Sequence, residues 1–138
     1  MCIRDRHSLG IKSVAVVTPY LDSINVRLAD FLVAAGFEVA SMAGQQLVAN
    51  LDIGDQTPDQ IMDFARHNLA READGYFLSC TNWQAMDVVE ELEGELGKPV
   101  ITSNQATAWA ALRAVGYAAP IEGFGSLMRA PAASEARA

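Results

Sequence analysis

Basic residues, cysteine, histidine and long apolar runs are all scarce in this sequence, and each scarcity removes a class of function. Lysine and arginine together number 10 against 17 aspartates and glutamates, for a net charge of −7. That is the wrong sign for a surface that binds nucleic acid by displacing counterions from phosphates. The two cysteines, Cys2 and Cys80, are too few for a disulfide framework. With only two histidines beside them they make no metal-ligand spacing, so no metal and no other cofactor is expected and any chemistry is organic. No apolar run approaches the ~18 to 20 residues that cross a bilayer, and the first residues lack the hydrophobic stretch of a signal peptide. The expectation is a soluble, cytoplasmic protein with neither a membrane nor a nucleic acid as partner.

What is present is a chain of 138 residues, 51% apolar and 20% charged, enough for one domain with a sizeable core and not for two. Apolar runs of four to six residues alternate with longer amphipathic stretches, which reads as strand and helix in turn. Ser13 to Thr18 is a β-branched run stopped by Pro19, followed by a helix from Leu21 to Ala35 with Ile24, Leu28, Phe31 and Leu32 at helical spacing and Gly36 as its stop. Phe37 to Met42 reads as the second strand, and Ala43 to Gln56 as a long loop. Thr57, Pro58 and Gln60 have the spacing of a capped helix start, for a helix to about Arg71. Gly75 to Ser79 is a third strand, Trp83 to Leu96 a helix ended by Gly97, and Pro99 to Thr102 a fourth strand. Ser103 and Asn104 can cap a last helix running to Gly116.

Strands alternating with helices imply parallel pairing through right-handed crossovers, hence an α/β fold with a four-stranded parallel sheet flanked by helices. Residues 11–118 form that α/β lobe, and 119–138 read as a linker, a short helix near Gly123 to Arg129 and a tail. Met1-Cys2-Ile3-Arg4-Asp5-Arg6 is what the end of a transposon-derived sequencing adaptor encodes, so residues 1–10 are expected to be a non-native leader or linker, with the native protein starting upstream.

In an open parallel sheet, ligands bind where the strands' carboxyl ends meet helix N-termini. Four segments fall there: Thr18-Pro19-Tyr20, the loop around Asn50, Cys80-Thr81-Asn82 and Ser103-Asn104-Gln105. They hold a thiol, hydroxyls, amides and a phenol but no lysine or arginine, which suits a small carboxylate better than a polyphosphate. Cys80, at a strand end just before a helix, is the candidate proton donor or nucleophile, since a helix N-terminus favours the thiolate; the plainer alternative is a buried, inert cysteine. Asn50 and Tyr20 are candidates of lesser weight, with a turn residue and a half-buried aromatic as the alternatives. His67 reads as a surface side chain, Trp83 and Trp109 as core or rim packing, and Glu90, Glu91, Glu93 and Glu95 as a solvated helix face. There is no GxxxxGK[ST], no complete GxGxxG, no GxSxG elbow, and no acidic pair after the first strand.

These segments, Val16-Val17-Thr18-Pro19-Tyr20, Asn50-Leu51-Asp52-Ile53-Gly54, Ser79-Cys80-Thr81-Asn82, and Gly97-Lys98-Pro99-Val100 with Ser103-Asn104-Gln105-Ala106, together resemble the second half of the maleate cis-trans isomerase and arylmalonate decarboxylase group of the aspartate/glutamate racemase superfamily. The resemblance covers residues 12–117, and Gly123 to Leu127 is similar to the family's closing segment. It implies one lobe of a two-lobed fold with the substrate held between the lobes. It makes Cys80 the second-lobe catalytic cysteine, Tyr20 and Asn50 carboxylate-binding residues, and Thr81 and Asn82 donors beside the thiol. A glycine after the cysteine is typical of the decarboxylases, whereas Thr81-Asn82 is closer to the isomerases and racemases. The implied function is cis-trans isomerisation of a small dicarboxylate, with arylmalonate-type decarboxylation or amino-acid racemisation as alternatives and a non-catalytic α/β binding module as the reading from another class. The missing first lobe is an expected partner, and the isolated chain is expected to be inactive. Self-association is expected through apolar surface at Trp83, Trp109 and the Gly123 to Arg129 segment.

Overall fold

Strand β1 (Ser13–Thr18) sits at the centre of the architecture, buried along Val14–Thr18 and paired on both sides. The computed structural model describes residues 9–131, in which four parallel strands lie in the order β2-β1-β3-β4. The other strands are β2 (Glu38–Gly44), β3 (Gly75–Leu78) and β4 (Val100–Thr102). Alternate residues of the buried strands feed two cores, as the two-residue period of a strand dictates. Ala15, Val17, Tyr76, Leu78 and Val100 face one layer of helices, α3 (Pro58–Asn68) and α4 (Val89–Leu96), through Ile61, Ala65, Val89 and Leu92. Val14, Val16, Phe77 and Ile101 face the other, α1 (Asp22–Ala34), α5 (Ser103–Ala114) and α6 (Gly125–Arg129), through Leu32, Trp109 and Leu127.

Helix α3 begins as its sequence requires. Thr57 accepts from the Gln60 backbone N–H, and the Gln60 side chain accepts from the Thr57 N–H, so both bonds of the capping box are made. The sequence reading of the α5 start is corrected by one residue: the cap is Thr102, which closes a capping box with Gln105, so strand β4 turns into the helix without a loop. The helix expected from Trp83 also starts late. Ala85–Val88 is a 3₁₀ turn and α4 proper begins at Val89. The cause is tertiary: Trp83 is 1% exposed, its ring edge-on to Phe64 with centroids 6.5 Å apart, and drawing it inward keeps Cys80–Gln84 out of a helix.

The long loop expected from Ala43 is shorter. Strand β2 runs on to Gly44, which pairs with Thr18, and a short helix α2 (Asn50–Gly54) is anchored by buried Ile53. The acidic run on α4 is not simply solvated. Glu90 accepts from the Gly125 N–H, and Glu93 from the Ser126 N–H and hydroxyl and from the Val100 N–H, so the two carboxylates hold α6 against the sheet. Leu127 and Met128 bury there, while residues 132–138 and 1–8, including Cys2, lie outside the described residues. Trp83, Trp109, Leu127 and Met128 are all buried, so of the expected apolar surface the Gly123 to Arg129 segment keeps only Phe124 exposed. The other large exposed apolar side chains are Ile24, Val26, Phe31 and Val33 on α1, with Val48, Leu51, Val115 and Tyr117 elsewhere. Among the described residues no helix is long and apolar enough to cross a membrane.

Asp74 joins the front of β1 to that of β3. Its carboxylate accepts from the N–H groups of Lys12 and Ser13, and its own N–H donates to the Ser13 carbonyl and hydroxyl. The Ser13 bond first and the Lys12 bond second lower its pKa below the ordinary carboxylate value. A lowered folded-state pKa gives stability that is present above the unfolded value, about 4, and lost as pH falls through the folded one. The melting-temperature gap between the wild type and Asp74→Asn should therefore be widest at neutral pH and close on acidification, measured by circular dichroism across pH. A gap that does not change with pH would remove Asp74 from that role.

Candidate functional site

Parallel pairing with Val17 opposite Leu78 brings the segments after β1 and β3 to the same edge of the sheet. The loop after β2 arrives beside them, because the N–H groups of Gln45, Gln46 and Leu47 donate to the carbonyls of Thr18, Tyr20 and Pro19. Between these segments lies an open cleft of about 670 Å³, lined by Tyr20, Asn50, Leu51, Gly54, Asp55, Cys80, Thr81 and Asn82. All five residues singled out in the sequence, Cys80, Tyr20, Asn50, Thr81 and Asn82, are thus brought together. Asn50 is not in a loop, as the sequence suggested, but opens helix α2.

Cys80 is unpaired with another cysteine and only 6% exposed, so its sulfur forms part of the floor. Thr81 and Asn82 beside it are exposed. The helix expected from Trp83 begins only with the 3₁₀ turn at Ala85, two residues farther from Cys80, and Cys80–Asn82 is, as expected, in neither sheet nor helix. The Tyr20 phenol lines the same cleft as Cys80, close enough to Cys80 and Ser79 for both to act on its titration. Burial is the main cause that pushes its phenol above the ordinary tyrosine value, the hydrogen bond to Cys80 and the like charge of a thiolate push the same way, and the bond from Ser79 opposes them. The phenol is therefore a hydroxyl donor, not a phenolate, throughout the neutral range.

Side-chain amides bind the loops of the cleft to one another. Asn82 Nδ2 donates to the Asn50 carbonyl at 2.7 Å, Gln84 Nε2 to the Gly54 carbonyl at 3.2 Å, and Asn104 Nδ2 to the Thr81 carbonyl at 3.0 Å. Gln45 Nε2 reaches Gln56 Oε1 at 3.0 Å. The lining contains one acidic residue, exposed Asp55, and no lysine, arginine or histidine. Among the described residues no group of three or more His, Cys, Asp or Glu could hold a metal ion. The cleft can offer a carboxylate neutral donors, and it can offer a thiol to a carbon held above it.

The family model described as arylmalonate decarboxylase matches residues 2–128. The chain belongs to the arylmalonate decarboxylase family. Among this family's members, the arylmalonate decarboxylase of Bordetella bronchiseptica is 33% identical over 126 residues, covering 87% of this chain and 51% of that protein. A cysteine-to-alanine variant of the maleate isomerase of Pseudomonas putida S16, solved with maleate, superposes with a TM-score of 0.88 at 25% identity, over 95% of this chain and 53% of that one. A cysteine-to-serine variant of the Nocardia farcinica maleate cis-trans isomerase, with a covalently bound succinylcysteine intermediate, gives 0.87 at 26% identity, over 92% and 52%. The chain spans about half the length of the curated relatives it matches.

Several residues of this family member's cleft escaped the sequence reading. Leu51 and Asp55 line it, Ser79 acts on the phenol's titration, and Gln84 braces α2. Leu51 and Asp55 stand four residues apart, one helical turn, which marks them only once α2 is recognised; Ser79 and Gln84 carry no local signal. The Asn82 bracket makes a direct prediction. Asn82→Ala should speed amide exchange across Asn50–Gly54 by about fivefold, as expected for losing one hydrogen bond, and leave β1 and β3 unaffected. Hydrogen exchange read by mass spectrometry checks it, and unchanged protection of α2 would show that the bond holds nothing.

Proposed function

We propose that this chain is one lobe of a cofactor-independent enzyme acting on a small dicarboxylate, of the maleate-to-fumarate cis-trans isomerase type, with Cys80 as its reacting thiol. The observation that carries the reading is a buried thiol on the floor of a cleft whose other hydrogen-bonding groups, apart from Asp55 at the rim, are neutral donors: the Tyr20 phenol, the Asn50 and Asn82 amides and the Thr81 hydroxyl. Net hydrogen bonds to a charged group are worth about 1.5–3 kcal/mol each, so a few neutral donors can hold a carboxylate without a cation. In this reading residues 11–118 are the lobe and 119–138 its linker, short helix and tail. The partners are the dicarboxylate, a complementary lobe that closes the open side of the cleft, and possible further copies of the chain.

The reaction needs a sulfur on each face of the substrate. A thiolate from the complementary lobe adds to one alkene carbon, forming a C–S bond and moving the π electron pair to the neighbouring carbon, where the Cys80 S–H delivers its proton. The former double bond is now single and rotates. The Cys80 thiolate then removes a proton from that carbon, the C–S bond breaks, and the double bond returns in the trans form. The succinylcysteine intermediate in the Nocardia farcinica relative supports an addition of this kind. Tyr20 keeps its proton throughout and acts as a donor to the carboxylate or to the Cys80 sulfur.

One observation favours a second reading. Leu51 lines the cleft with 79% of its surface exposed, an apolar wall suited to a substrate with an apolar substituent. In an arylmalonate-type decarboxylation Cys80 alone would be needed, protonating the enediolate left when carbon dioxide departs. Racemisation of an amino acid would use Cys80 with an opposing base, and a non-catalytic binding module would leave the thiol without chemistry.

Cys80→Ser should abolish turnover of the two-lobed enzyme while dicarboxylate binding persists. Tyr20→Phe or Asn50→Ala should weaken binding by about 1–3 kcal/mol, roughly 5- to 150-fold. Because the phenol titrates above its ordinary value, binding should show no tyrosine-linked loss up to about pH 10. Proton NMR of maleate and fumarate, with calorimetry of binding, reads all three. Full activity in the serine variant would overturn the role of Cys80, and production of a monocarboxylate from an arylmalonate in place of isomerisation would select the second reading.

A further inference from the structure

We infer that Thr18 and Asn25 are positioning residues whose hydrogen-bonded relay sets the Tyr20 phenol against Cys80. Thr18 is the last residue of β1 and is fully buried, and Asn25 lies on the buried face of α1 at 4% exposure. The Tyr20 N–H donates to Thr18 Oγ1 at 3.0 Å, and the Thr18 hydroxyl donates in turn to Asn25 Oδ1 at 2.7 Å. The turn carrying the phenol is thus tied through a hydroxyl to an amide in the packed layer beneath it. Pro19 between them fixes its own φ, so few backbone torsions remain free. The far side is held by β2: the Gln46 N–H donates to the Tyr20 carbonyl at 3.3 Å, and a Cβ on Gly44 would clash with that carbonyl and with Asn25 Nδ2. Glycine alone lets the end of β2 pass under the Tyr20 turn.

A purely structural purpose accounts poorly for this pair. Among the described residues Asn25 Nδ2 is buried with no hydrogen-bond partner, a costly arrangement that apolar residues of similar shape at 18 and 25 would avoid. What those residues could not supply is a directional acceptor for the Tyr20 N–H. Two residues after Thr18, the orientation of that N–H sets the direction in which the Tyr20 side chain leaves the turn toward the cleft it shares with Cys80. The inference rests on the proposed role of Tyr20 as a donor beside the reacting Cys80, but it is read out without any substrate.

The test uses the full chain labelled with [13Cζ]-tyrosine, comparing Thr18→Val, which keeps the shape and removes both bonds, with Thr18→Ser, which keeps the hydroxyl. In Thr18→Val the Tyr20 resonance should titrate closer to the ordinary value of about 10, and iodoacetamide should alkylate Cys80 about fivefold faster, the equivalent of one lost hydrogen bond. Thr18→Ser should match the wild type in both. Asn25→Leu gives the same reading from the helix side should the valine variant not fold: movement of both readouts supports the relay. A lowered melting temperature with the Tyr20 titration and the Cys80 rate at wild-type values would overturn it and leave the pair as packing. Since no dicarboxylate is present, these outcomes stand apart from whether the cleft binds one.

Discussion

The parallel pairing of β1 with β3 is the constraint on which the rest depends. Parallel neighbours put their carboxyl ends on one side, and the register of Val17 against Leu78 brings Tyr20 and Cys80 to the same edge of the sheet. Ser79 closes that register by donating its N–H to the Val17 carbonyl, so the last ladder bond is made directly beneath the cleft. Both strands are buried on both faces, and a shift of one residue would move Val17 and Leu78 from one core to the other. The site inherits its precision from packing several residues away. Asp74 fastens the opposite end of the same two strands.

Above the sheet, the site is assembled from amides and hydroxyls. Asn82, Gln84, Asn104 and Gln45 tie together loops that no backbone ladder connects, and each bond crosses between segments distant in sequence or on different elements. Neutral brackets of this kind leave the cleft without a fixed cation. A chain of net charge −7 has no long-range field drawing anions inward, so in the proposed function a carboxylate would be recognised by short-range donors. Asp55 at the rim would repel one end of a doubly charged ligand and so favour one orientation of it. A complementary lobe would exclude water from the open side and strengthen every one of these bonds.

How much of this was legible varied with how local its cause is. The β-branched Ser13–Thr18 run stopped by Pro19, and the Thr57-Pro58-Gln60 start, carry their structure within a few residues, and both appear as expected. The α5 cap was misplaced because Thr102, Ser103 and Asn104 are all good caps, and only the reciprocal bond with Gln105 distinguishes them. The late start of α4 follows from Trp83 being drawn onto Phe64, and α2 from Ile53 finding the core. Neither event has a local signature. The five cleft residues were recognisable because strand ends in a parallel sheet share one side. Asn25 was not, since a polar residue on an amphipathic helix reads as surface until its burial is known.

The claim that one cleft at this sheet edge receives a small dicarboxylate through Tyr20, Asn50 and the Cys80 turn is tested most directly by backbone-amide NMR during titration with maleate. The account predicts saturable shifts centred on Tyr20, Asn50–Asp55 and Cys80–Asn82, with α6 and the Asp74 end of the sheet unmoved, and the same pattern for fumarate. Shifts centred elsewhere, or none at ligand concentrations in the tens of millimolar, would contradict it.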